Sequence, residues 1–283
     1  MEPQLKHLFC FGHGFSPHAL AEKLKPLGWK ITGTSRSAEG AAAINAKGYE
    51  GLVFDELQSI PSSVTHIVSS IPPGEKDDPV LERFKGELTA RAKTFEWVAY
   101  LSTTGVYGDR AGAWVDETAD LTPNTERGRK RVYVERAWQS IPDLPLHIFR
   151  LAGIYGPGRN AFEILKSGKA QRVIKQGQIF SRIHVEDIAG ILLASINQPN
   201  QSAIYNMADD EPCAPQDVIS YAAELLHITP PPEIKFEDAK LSAMQRSFYA
   251  DSKRVSNARV KNELAYKFIY PNYRAGLKAL LKP

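Results

Sequence analysis

The chain has 283 residues, 43% of them hydrophobic and 24% charged, with 35 basic and 32 acidic side chains for a net charge of +3. That length allows a sizeable core, and the composition is that of a globular protein. The near-balance of charge gives no case for nucleic-acid or membrane partners, and two distant cysteines, Cys10 and Cys213, supply neither a disulfide framework nor metal-ligand spacing. No apolar stretch reaches the roughly 18–20 residues that span a bilayer. The N-terminal residues lack the apolar core of a secretion signal, so a cytoplasmic location is expected.

In chain order, HLFCFG at 7–12 predicts a strand ending in glycine, and PHALAEKLKPLG at 17–28 predicts a helix stopping at Gly28. WKITGTS predicts a second strand, and AEGAAAINAKG a helix closing on Gly48. GLVFD, THIVSS and WVAYLS follow as short apolar runs, with a helix from Asp78 to Thr94 between the last two. This alternation predicts an α/β fold, a Rossmann-type doubly wound parallel sheet. Gly105 to Asn124 is rich in Gly, Asp, Thr and Pro and predicts a long loop. A helix over roughly 126–140 comes next, then a strand in IPDLPLHIFR, a turn at IYGPGR and a helix at 184–196. The expected division is a dinucleotide-binding core over 1–150. The rest, 151–283, completes the core and forms a small C-terminal substrate lobe.

The sequence Gly12-His13-Gly14-Phe15-Ser16-Pro17 follows the first strand and opens the first helix. That is the context of a dinucleotide-binding turn. Gly12 permits the tight turn, Gly14 lets a pyrophosphate approach the backbone, and the helix start that follows Phe15 and Ser16 offers free N–H groups, so these four residues are expected at the cofactor. Pro17 stands where a third glycine is usual, and proline is tolerated at a first helical position. About 20 residues on, an acidic residue would bind the ribose of NAD. Here the second strand ends in Thr34-Ser35-Arg36-Ser37. Arg36 suits a 2′-phosphate, and Ser35 and Ser37 add hydroxyls, so the expected cofactor is NADP rather than NAD. Asp55, ending the VFD strand, and Ser69, Ser70 and Ile71, ending the next, are expected to line the same cleft. A solvated turn is the ordinary alternative for Asp55.

Several segments together resemble the extended short-chain dehydrogenase/reductases, the NAD(P)-dependent epimerases and dehydratases. They are GHGF, LSTTGVYG at 101–108, VDETADLTP at 115–123, RLAGIYGPGRN at 150–160 and RIHVEDIA at 182–189. YNMADDEP and YADSKRVSNARV are similar to the C-terminal part of an atypical branch. The resemblance implies that Thr103 is the catalytic hydroxyl residue, with Thr104 beside it and Tyr107 in the same segment. It implies substrate contacts from Tyr155 and Arg159, and a lobe-bridging place for His184. The family's Tyr-x-x-x-Lys pair is missing. Alignment of TERGRKRVYVERA places Arg127 at the tyrosine and Arg131 at the lysine. Arginine does not exchange protons near neutral pH, and a lost general acid costs on the order of 10²–10⁴ in rate.

Arg131 retains donors for a ribose. Tyr107 or His184 supplies the proton, or the arginines grip an anionic substrate, or the fold persists as a cofactor-binding module. The expected function is an NAD(P)-dependent epimerase/dehydratase-like or reductase enzyme on a small polar substrate, a sugar nucleotide or another anion. The alternative is a non-catalytic NADP-binding sensor or interaction protein. No metal is expected from the histidine spacing. The partner expected is a small molecule, with a homodimer left open.

Overall fold

The computed structural model describes residues 5–75 and 77–281; residues 1–4, part of the stretch read for a secretion signal, lie outside it. Seven strands form the central sheet: β1 His7–Phe11, β2 Lys30–Ser35, β3 Glu50–Val53, β4 His66–Ser69, β5 Trp97–Thr103, β6 Leu146–Leu151 and β7 Ile204–Met207. Their order is β3-β2-β1-β4-β5-β6-β7. The pairs β1/β2, β1/β4, β2/β3 and β4/β5 are parallel, with Phe11 opposite Ser69. The expected doubly wound Rossmann-type sheet is present. Chain direction across it reverses between β1 and β4, where such sheets gather ligands. The helices are α1 Phe15–Leu24, α2 Ala38–Ala46, α3 Pro79–Ala90, α4 Glu126–Gln139, α5 Ala161–Lys166, α6 Val185–Asn197, α7 Pro215–Leu225, α8 Ala243–Phe248, α9 Ala258–Glu263 and α10 Tyr273–Leu280. None of the described helices is long and apolar enough to cross a membrane.

Local signals explain most boundaries. Gly28 and Gly48 take positive φ, as chain stops after α1 and α2 require. Ser37 caps α2 by accepting from Gly40 N–H, and Asp78 caps α3 by accepting from Val80 and Leu81, with Pro79 opening that helix. Three expectations are corrected. The third strand stops at Val53, and Asp55 lies in a 3₁₀ turn over Phe54–Glu56. Phe54 turns inward against Phe11 and Phe84, and Arg83 donates to the carbonyls of Phe54, Asp55 and Leu57. The stretch before β6 is not strand, because Pro142 and Pro145 offer no ladder donors. Pro17 is the third helical residue of α1 rather than the first, a position whose amide also lacks an intrahelical partner.

The chain packs as two compact units, each discontinuous in sequence. The first comprises Met1–Ser102, Lys130–Arg150 and Ile188–Tyr205, and so holds almost the whole sheet. Its core joins Phe9 and Phe11 of β1, Phe84 and Leu88 of α3, Val98 and Tyr100 of β5, and Val134 and Trp138 of α4. The second comprises Thr103–Arg129, Leu151–Asp187 and Asn206–Pro283. Its core joins Phe162 of α5, Val218 and Ala222 of α7, and Tyr273 and Leu277 of α10. In that unit the long Gly- and Pro-rich loop gains a short strand, Trp114–Val115, paired in parallel with Arg254–Val255.

One polar contact lies deep in the first unit. Arg150 on β6 forks onto Glu135 on α4, Nη2 to Oε2 at 2.8 Å, and Ser102 Oγ donates to Glu135 Oε1 at 2.5 Å. The two ionic side chains are only 3% and 2% exposed. Removing one partner of such a pair typically costs about 3–5 kcal/mol, while replacing both by apolar groups is often near neutral. Arg150→Met is therefore expected to lower the urea midpoint sharply, and Glu135→Leu/Arg150→Met to restore most of it. Equal destabilisation by the single and double variants would contradict this.

Burial also holds His147 and His184 at a pKa of about 4, against an ordinary value of 6.5. The unfolded chain takes up these protons first as pH falls. Stability is fully present above pH 6.5 and is lost as pH falls toward 4, by at most about 1.4 kcal/mol per pH unit for each histidine. The expected result in urea titrations between pH 7 and 4.5 is a falling unfolding free energy. His147→Phe flattens that slope.

Candidate functional site

The first unit carries the glycine turn that joins β1 to α1. Gly12 has φ +81° and follows β1 directly. Its N–H donates to Thr34 Oγ1 at 2.9 Å, and its carbonyl accepts from Ser70 Oγ at 2.7 Å. Side chains at the ends of β2 and β4 therefore clamp the turn from both sides. A Cβ on Gly12 would lie 3.0 Å from Ser70 Oγ and 3.1 Å from Ile71 Cγ1. Gly14 caps α1 with no side chain of its own and has open space around its Cβ direction. The first helical bond runs from His18 N–H to the Gly14 carbonyl. The amides of Phe15 and Ser16 thus have no partner within the helix, and Pro17 has no N–H. Together these features form a cradle for an anion at a helix start.

The neighbours of the cradle follow from the same strands. His13 donates its N–H to the Thr34 carbonyl, and its ring packs where a Cβ on Gly33 would stand, 2.7 Å away. Burial lowers its pKa to about 4, so the imidazole is a neutral wedge near pH 7. Ser35 lies against Gly40, which has no Cβ to obstruct it. Arg36 is exposed and forms no hydrogen bond or ion pair with the described residues. Ser69 Oγ is buried with no partner among them. Asp55 is exposed, 3.8 Å from Arg83 Nη1. Arg131 is buried, and its Nη1 donates to Tyr100 Oη at 2.9 Å and to the Leu101 carbonyl at 2.8 Å.

The second unit carries the remaining candidates. Thr103 ends β5, and its Oγ1 accepts from Gly105 N–H at 3.2 Å, which leaves its own O–H free to donate. Thr104 begins the 3₁₀ turn Thr104–Tyr107. Tyr107 is fully buried and donates to Asn206 Oδ1 at 2.7 Å, while Asn206 N–H donates to Glu117 Oε1 at 2.7 Å. Gly128 lies between Arg127 and Arg129, and a Cβ there would meet Pro123 at 2.7 Å and the Gly105 carbonyl at 2.8 Å. The glycine of the RGR segment is thus what lets the start of α4 approach the Thr103 loop. The Arg127 guanidinium lies 5.8 Å over the ring of Phe248 on α8.

Tyr155 and His184 meet edge to face at 5.1 Å, and Tyr270 covers His184 at 4.1 Å. His184 Nδ1 accepts from Glu186 N–H, so Nε2 carries the hydrogen, buried and without a partner among the described residues. With a pKa of about 4 it is neutral near pH 7. Arg159 is exposed and makes no side-chain bond with the described residues. Among them no group of three His, Cys, Asp or Glu could hold a metal.

Sequence reasoning missed Thr34, Asn206, Gly128 and Phe248. Thr34 had a signal, its place two residues before Arg36. Gly128 also had one, since it is the glycine on which the TERGRKRVYVERA segment aligns; Asn206 and Phe248 had none, because their partners are distant in sequence.

No protein-family model matches the chain. Protein YeeZ from Escherichia coli (strain K12) is 26% identical over 284 residues, 95% of this chain and 97% of that protein. A conserved, functionally unknown protein from Silicibacter pomeroyi DSS has 52% sequence identity and a TM-score of 0.93, over 97% of this chain and 98% of its own. The human epimerase family protein SDR39U1 (isoform 2), solved with NADPH, has 18% identity and a TM-score of 0.75, over 98% of this chain and 99% of its own. The identity places this chain and the Silicibacter protein in one family, and the likeness to the human protein is one of fold. The chain belongs to the family of the conserved Silicibacter pomeroyi protein and shares its Rossmann-type fold with the human epimerase family protein.

Proposed function

We propose that this chain is an NADP-dependent enzyme of the epimerase/reductase type that acts on a small, polar, anionic substrate. The observation that carries this reading is the clamped turn at Gly12 joined to a free Arg36 with no carboxylate at the end of β2. The turn suits a pyrophosphate, and the guanidinium suits a 2′-phosphate. Human SDR39U1, which shares the fold, was solved with NADPH. Bound there, a nicotinamide supplies hydride exchange. Gly12, Gly14, Phe15 and Ser16 would hold the pyrophosphate, with Ser35, Arg36 and Ser37 at the adenosine ribose. Ser69, Ser70, Ile71 and Asp55 belong to the same strand-end region, and Arg131 reaches it through α4.

The Thr103 hydroxyl is the donor that would hold a substrate oxygen. Arg127 and Arg159 offer forks for a substrate carboxylate or phosphate. Thr104, Tyr155 and His184 complete the substrate side as packing and orienting groups. A second reading has specific support. Tyr107 already donates its proton to Asn206, and burial keeps His184 uncharged near neutral pH. A protein with that arrangement and Arg127 in place of the tyrosine also fits a non-catalytic NADP sensor.

Calorimetric titration separates the cofactors. NADPH is expected to bind more tightly than NADH, and Arg36→Glu to weaken NADPH by about 10–100-fold, the range of a lost charge-assisted bond, with little effect on NADH. Equal losses for both cofactors would refute the role of Arg36. Thr34→Val removes the acceptor for Gly12 N–H and is expected to weaken both cofactors about fivefold. Turnover decides between enzyme and sensor. With reduced cofactor and a panel of sugar nucleotides, aldehydes and keto acids, the enzyme reading expects activity that falls on the order of 10²-fold in Thr103→Val. Tight NADPH binding with no turnover across the panel favours the sensor.

A further inference from the structure

The second unit contains a cavity of about 490 Å³ lined by Asp210, Lys261, Ala265, Tyr266, Lys267, Phe268 and Pro271. None of these residues takes part in the proposed function. The cavity is an open pocket, with Asp210, Lys261, Ala265 and Lys267 exposed and Tyr266, Phe268 and Pro271 half-buried.

The lining is held in place by hydrogen bonds to its backbone and side chains. The segment carrying Tyr266 and Phe268 hangs on Asp187, a fully buried carboxylate. Asp187 Oδ1 accepts from Ile269 N–H at 2.7 Å and from Tyr266 Oη at 2.9 Å, and Oδ2 accepts from Tyr270 N–H at 3.0 Å. Asp210 donates its N–H to the Pro271 carbonyl at 2.9 Å, and its Oδ1 accepts from Asn257 Nδ2 at 2.7 Å. Ala265, on the lining, has φ +48°, a left-handed conformation that costs a residue with a Cβ. Backbone held in this way tends to cluster at ligand sites.

The lining also states a charge. Lys261 Nζ is 2.5 Å from Asp210 Oδ1 and is thereby neutralised. It lies 5.5 Å over the Phe268 ring, which meets Tyr266 edge to face at 5.4 Å. Lys267 makes no hydrogen bond or ion pair with the described residues. Two ammonium groups against one carboxylate leave a surplus of one positive charge on an aromatic wall. A dianion would overshoot that surplus and face Asp210 as well. A cation would meet Lys267 unpaired.

We propose that this cavity is a binding site for a monocarboxylate that carries a planar apolar ring, with Lys267 pairing the carboxylate and Phe268 and Tyr266 taking the ring. The site is independent of the dinucleotide turn, since it uses none of those residues.

Phenylacetate, benzylamine and acetate are the probes, titrated into the full chain and followed by ligand-observed NMR. Saturable phenylacetate binding is expected, about tenfold tighter than acetate, with no saturable binding of benzylamine. Lys267→Glu is expected to weaken phenylacetate at least about tenfold, the scale of a lost charge-assisted contact, and Lys267→Arg to hold it within about threefold. Lys267 is exposed, so both variants keep the wild-type thermal unfolding. The proposal is overturned if phenylacetate does not saturate, if benzylamine binds equally well, or if Lys267→Glu binds phenylacetate as the wild type does.

Discussion

The buried pair of Glu135 and Arg150 is the constraint on which the rest of this architecture depends. It joins α4 to β6, and through Ser102 it also holds the end of β5. Several kcal/mol of desolvation per ion offset most of the attraction, so the pair adds little net stability over an apolar equivalent. Its effect is on register. A fork that satisfies both partners in a dry interior allows α4 one rotation and one height against the sheet. Arg131, one turn before Glu135, uses the same face of α4 to reach Tyr100 and the Leu101 carbonyl. Arg131 and Glu135 thus anchor the part of α4 that lies in the first unit.

Two glycines work by opposite means. Gly12 is needed for its backbone angle and for the close approach of Ser70 and Ile71. Gly128 has ordinary helical geometry, and there the missing Cβ alone matters, since Pro123 and the Gly105 carbonyl occupy its space. The two arginines flanking Gly128 therefore sit on a segment shaped to touch the Thr103 loop. Arg127 itself rests on the ring of Phe248. The same logic applies to the histidines. His13 and His184 are packing groups whose rings fill space, held neutral by burial.

Much of the fold was legible before any coordinates. Periodicity placed β1, α1, β2, α2, β4, α3, β5, α4 and α6, because strand and helix periods are local properties of the chain. Local chemistry also marked the stops at Gly28 and Gly48. Where the periodicity failed, a distant partner had intervened. β3 ended early because Phe54 was drawn toward Phe11 and Phe84. The loop after Thr103 gained a strand because Arg254–Val255 lay alongside Trp114–Val115.

The same division runs through the site. The sequence by itself determined the glycine turn, the absence of a carboxylate after β2, the presence of Arg36, and arginine in place of the tyrosine. Each is a matter of residue type at a position along the chain. Only the tertiary structure decided that Thr34 and Ser70 clamp Gly12, that Tyr107 donates to Asn206, and that Asp210 meets Lys261 on a lining shared with Phe268. These are contacts between residues remote in sequence. Burial then fixes the protonation state and the free donors of each group, and the number of water molecules a side chain loses on folding cannot be read from its neighbours in the chain.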